Sequence, residues 1–107
     1  PDPSCNPYLA FAVCLAAGLD GIGRQLTPPP ESCENLYAIA ADLEAQGVRH
    51  LPGTLEAAIH ALEADSTVTG ALGEHVTGQY VTGKLREWEE YRTQVSQWEL
   101  DRYLVTC

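Results

Sequence analysis

The sequence lacks the short motifs that most often disclose a function. It contains no C-x-x-C pair, no G-x-x-x-x-G-K-[ST] loop, no G-x-G-x-x-G turn and no H-E-x-x-H motif. Methionine is absent from all 107 residues, and no apolar run approaches the ~20 residues that a membrane-spanning helix needs. No stretch alternates apolar and polar residues as a half-buried strand does. These absences exclude the familiar nucleotide and zinc sites, and they predict an all-α chain.

Positive charge is scarce. Six Lys and Arg residues stand against fifteen Asp and Glu residues, which leaves a net charge of −9. Such a surface repels phosphate backbones and anionic lipid, so we expect neither nucleic acid nor membrane as a partner. The acidic residues are spread along the chain, which favours a role in solubility. The length limits the chain to one domain, and an apolar fraction of 45% is typical of a globular one.

The four cysteines are spaced unlike zinc ligands. They are Cys5, Cys14, Cys33 and Cys107, and their even number permits two disulfides. Cys14 stands in an apolar helical stretch, where a thiol is expected to be packed and unreactive. We therefore expect free thiols in a reducing cytoplasm.

Several stretches carry helix signals. Asn6-Pro7 is typical of a helix start, and residues 8–17 are apolar on every side, which predicts a helix buried all round. "TPPPESCEN" then interrupts helical structure. "NLYAIAADLEAQG" predicts a short helix ending near Gly47, and "LPGTLEAAIHALEAD" predicts a helix capped by Thr54.

The last third has the clearest helical pattern. A short helix is predicted around residues 68–72, and "SQWE" is a capping box in which Ser96 caps and Glu99 reaches back. The aromatic residues of this region favour packing or an interface, with a ligand cage as the alternative. The predicted apolar stripe consists of Val76, Tyr80, Leu85, Trp88 and Tyr91.

Two polar patterns are candidate binding sites. His60 lies between Glu56 and Glu63 on one side of a predicted helix, where the three could hold a metal. An exposed histidine among solvated acids is the commoner arrangement. "GLDGIG" has the wrong spacing for a phosphate loop, and its glycines are expected to allow another backbone to approach closely.

Five stretches in order resemble type I glutamine synthetases over essentially all 107 residues: "PDPSCNPYLAFAVCLAAGLDGI", "NLY", "LPGTLEAAIHALEAD", "ALGEH" and "EWEEYRTQVSQWELDRYL". The resemblance implies that residues 1–107 are one helical segment from the C-terminal part of a catalytic domain, without its β-sheet core. Pro1 to Ser4 would then be the turn that leaves an active-site strand.

The resemblance also implies a chemistry. Glutamine synthetases are ATP-dependent ligases that form a γ-glutamyl phosphate and let ammonia displace the phosphate, with Mg²⁺ or Mn²⁺. The family's metal, ATP and substrate residues lie upstream of the matched segment, so no catalytic, cofactor-binding or metal residue is assigned here. The isolated chain is expected to be inactive. The alternatives are a piece of a γ-glutamyl-polyamine or other glutamate–amine ligase, and a stand-alone helical interaction module.

Two regions map onto positions that the family uses. Tyr37, in "NLY", corresponds to the position that some bacterial members adenylylate, with ordinary loop packing as the alternative. Residues 94–107 match a tail that contacts another subunit in the family. The resemblance therefore implies that the chain self-associates or contacts the remainder of the catalytic domain. It also implies that the protein is cytoplasmic. The implied contact residues are Trp98, Leu100, Tyr103 and Leu104.

Overall fold

The computed structural model describes residues 3–29, 31 and 50–104, and all regular secondary structure in these residues is helical. The all-α prediction is therefore confirmed for the described part of the chain. The helix predicted in "NLYAIAADLEAQG", with Tyr37, lies outside it, as do Cys33 and Cys107. The five helices are α1 (Pro7–Gly23), α2 (Leu55–Ala64), α3 (Ser66–Leu72), α4 (Glu74–Arg92) and α5 (Gln97–Tyr103).

The predicted caps start α1 and α2. The Asn6 side-chain oxygen accepts from the backbone N–H groups of Tyr8 at 3.0 Å and Leu9 at 3.3 Å. The Thr54 hydroxyl oxygen accepts from the N–H of Ala57 at 3.1 Å. Each cap satisfies N–H groups that the first turn of a helix leaves without partners, which is why these two predictions from local sequence succeed.

Single residues join α2, α3 and α4. Asp65 ends α2, and its carboxylate accepts from the N–H groups of Thr67 at 2.9 Å and Val68 at 3.0 Å, so it also caps α3. Gly73 separates α3 from α4 with a φ of 76°, a value that glycine adopts without a Cβ penalty. Its N–H donates to the carbonyl of Thr69. These short joints hold three helices against one another.

The core lies where four helices meet. α1 packs on α3, α2 packs on α3 and α4, and α3 also packs on α4. Among the described residues only Ile59 (2% exposed) and Val81 (9% exposed) are buried, so the core is small. An apolar hollow of about 270 Å³ remains between these helices. Its lining includes Leu9, Val13, Leu55, Leu62, Val68 and Leu72.

The described residues bury only one side of residues 8–17, although the sequence predicts burial all round for this stretch. Leu9 and Val13 are half-buried on the side that meets the other helices. Tyr8 and Phe11, on the other side, are 84% and 76% exposed. Cys14 is exposed as well, so the expected packed thiol is wrong. One face of α1 packs on other helices, and no described residue covers the opposite face.

The predicted stripe of α4 agrees only in part with the structure: Trp88 is half-buried and Tyr80 lines the apolar hollow. The inner face is centred on Val81 and includes the half-buried Thr77, Lys84 and Trp88, at spacings of four, three and four residues. The Thr77 hydroxyl donates to the carbonyl of Thr69 on α3 at 3.4 Å, and Lys84 can bury its aliphatic stem here. The predicted stripe consists of the largest apolar residues of α4, and most of them do not lie on this inner face. The predicted members that the structure leaves exposed are Val76, Tyr80, Leu85 and Tyr91.

Replacement of Ile59 by alanine is expected to lower the free energy of unfolding by about 2–5 kcal/mol, because it removes a side chain from the centre of a small core. Leu51→Ala is the matched control, since Leu51 is 90% exposed and its change is expected to stay within about 0.5 kcal/mol. Urea unfolding followed by circular dichroism at 222 nm measures both. Equal losses in the two variants would contradict this account of the core.

Candidate functional site

The capping box at the start of α5 forms as predicted. Both the N–H and the hydroxyl of Ser96 donate to one carboxylate oxygen of Glu99, at 2.7 and 2.8 Å. The Ser96 hydroxyl oxygen in turn accepts from the N–H of Glu99 at 3.3 Å. This reciprocal arrangement fixes the first turn of a helix only seven residues long. It therefore sets where the side chains of α5 stand.

The capping box also sets the protonation of Glu99. Hydrogen bonds from the Ser96 backbone N–H, and then from its hydroxyl, hold the pKa of the Glu99 carboxyl below its ordinary value. A carboxyl whose pKa is lowered in the folded state stabilises that state at pH values above its ordinary pKa. The stabilisation is lost as the pH falls through the lowered value.

The contact residues predicted from the resemblance lie together on and beside α5. We call Val95, Trp98, Leu100, Tyr103 and Leu104 the tail surface. The rings of Trp98 and Tyr103 meet edge to face, with centroids 6.1 Å apart. The Arg102 guanidinium lies 5.3 Å from the centre of the Trp98 ring, a cation–π geometry.

The tail surface is open and preformed. Trp98 is 62% and Leu104 is 74% exposed. Val95, Leu100, Tyr103 and Leu104 line a shallow apolar hollow of about 390 Å³, and Glu99 lies at the same hollow. α5 packs on none of the other described helices. The tail surface therefore receives no packing from the other described helices.

A second exposed apolar surface lies on α1. Tyr8, Phe11, Leu15, Leu19 and Ile22 follow one another at spacings of three or four residues, so they share one side of the helix. All five are exposed. We call this set the outer face of α1. Composition predicted burial for Tyr8, Phe11 and Leu15, and within the described residues only the opposite side of α1 packs on other helices.

The glycines of "GLDGIG" belong to the C-terminal half of α1. A Cβ placed on Gly18, Gly21 or Gly23 would meet no described atom within 4 Å beyond the neighbouring helical turns. The close approach of another backbone, which the sequence led us to expect, is therefore not made within the described residues.

Within the described residues, the polar candidates lie apart from one another. His60 lies on α2 with its Nδ1 3.4 Å from a carboxylate oxygen of Glu63, and both side chains are well exposed. Across residues 3–29, 31 and 50–104, nowhere do three or more metal-binding side chains come together. Tyr37 falls outside these ranges, so its modification stays a prediction.

The charged residues of α4 pair with one another. Each pair joins residues three or four positions apart, so it supports the helix locally rather than forming a site. In the bidentate pair at the C-terminal end, the Arg92 guanidinium lowers the pKa of the Glu89 carboxyl, and Glu89 raises the pKa of Arg92. The pairs are Lys84–Glu87, Arg86–Glu90 and Arg92–Glu89.

None of the described helices is both long enough and apolar enough to cross a bilayer.

Comparison with known proteins places the whole chain within one family. The sequence model of the family described as "Glutamine synthetase, catalytic domain" matches residues 1–103. A glutamine synthetase of Thermus thermophilus is 52% identical over 107 residues, which are 99% of this chain and 24% of the relative. One of Thermotoga maritima is 46% identical over 105 residues, 97% of this chain and 24% of the relative.

The arrangement of the helices also has a close counterpart. The solved structure described as "Apo GmaS without ligand" matches with a TM-score of 0.84 and 37% sequence identity, and covers 100% of this chain and 24% of its own. The chain thus spans about a quarter of the length of the relatives that it matches.

Acidification is expected to release the capping box of α5. Because the pKa of Glu99 is lowered by folding, the Ser96 amide proton should keep its hydrogen-bonded chemical shift above the ordinary glutamate range and lose it as the pH falls below that range. An NMR titration of the 107-residue chain measures this. In Glu99→Gln, a side-chain oxygen remains to accept from Ser96 but does not titrate, so the Ser96 signal should not move over this range. If the Ser96 amide signal of this variant still changed with pH over the same range, Glu99 would not be the titrating group.

Proposed function

Because the chain belongs to the glutamine synthetase family, as a C-terminal fragment of the catalytic domain, we propose that it is the helical part of an ATP-dependent ligase that joins glutamate to ammonia. One observation carries the proposal: the family's catalytic-domain model matches residues 1–103, and relatives named glutamine synthetase match 97–99% of the chain. ATP and Mg²⁺ or Mn²⁺ would be bound by residues outside these 107. We place the enzyme in the cytoplasm.

The role that we propose for the chain within that enzyme is structural. Its described residues contribute packed helices and exposed apolar surfaces, while the polar candidates remain scattered. Side chains that bind phosphate or activate ammonia would have to converge on one place, and we assign them to the three quarters of the relatives' length that this chain does not match. The chain alone is accordingly inactive in this proposal.

The second part of the proposal concerns residues 94–107, and assigns the tail surface to contacts between subunits. Its aromatic anchors are large, exposed and already ordered by the capping box, so little entropy is lost when a partner covers them. Trp98 and Tyr103 would enter an apolar groove of another subunit, with Leu100 and Leu104 beside them. In the isolated chain the same surface would support self-association.

Transfer of this chain into a complete relative is expected to restore catalysis. In the chimera, these residues replace the matched quarter of the Thermus thermophilus glutamine synthetase. We expect ATP-dependent formation of glutamine from glutamate and ammonia by the chimera, and none by the 107-residue chain alone. Product analysis by mass spectrometry, with ATP omitted as control, measures both. An active isolated chain, or a folded chimera without activity, would overturn the proposal.

The variant Trp98→Ala is expected to weaken self-association of the 107-residue chain about tenfold or more, the usual effect of removing a central aromatic anchor. Tyr91→Ala is the matched control, because Tyr91 is similarly exposed but lies on α4 away from the tail surface. Sedimentation equilibrium gives the dissociation constants. The assignment fails if the control and Trp98→Ala weaken association equally, or if neither does.

A further inference from the structure

We draw no further inference here: the strongest candidate, the apolar hollow of about 270 Å³ between α1, α2, α3 and α4, carries nothing because no feature of the described residues shows what covers it.

Discussion

The packing of α1 on α3 is the contact on which the rest of the described structure depends. It brings Leu9 and Val13 toward the region where Ile59 and Val81 are buried, and so joins the N-terminal helix to the three that follow the undescribed segment. Without it, α1 would be an isolated helix of 17 residues, and most of the stability of helices in proteins comes from packing of an apolar face.

Two kinds of constraint act on the chain. Local hydrogen bonds at Asn6, Thr54, Asp65 and Ser96 fix where helices begin, and they need no distant partner. Burial fixes which side of each helix faces inward, and it depends on what lies nearby. α5 illustrates the difference, because its capping box orders it while no other described helix packs on it. In the described residues, these helix starts are therefore capped locally, while apolar side chains on two helices stay exposed. Among the described residues, the tail surface and the outer face of α1 are exposed and apolar.

Much of the fold could be predicted, and the errors share one cause. The all-α class follows from short-range chemistry, and so do the first turns of α1 and α2 and the capping box of α5. The grouping of the tail-surface residues on and beside α5 follows from it as well. The size of the apolar residues of α4 does not identify the inner face of this helix. α3 selects the row through Thr77 and Val81 instead. The exposure of α1 was missed because its composition describes a helix buried all round, and only one of its sides is buried by described residues. The family could be recognised from five stretches in order, since each keeps its own residue pattern.

The sequence by itself determined the helical class, the helix starts, the acidic surface and the family, because each rests on residue identity or on contacts within a few positions. The tertiary structure alone decided which faces are covered. Whether Phe11 or Val81 is buried depends on the position of other helices, and nothing in either residue's own neighbourhood specifies it. An apolar residue gains free energy only where another surface excludes water from it. In the described part of this chain, that surface is present on one side of α1 and absent from the other.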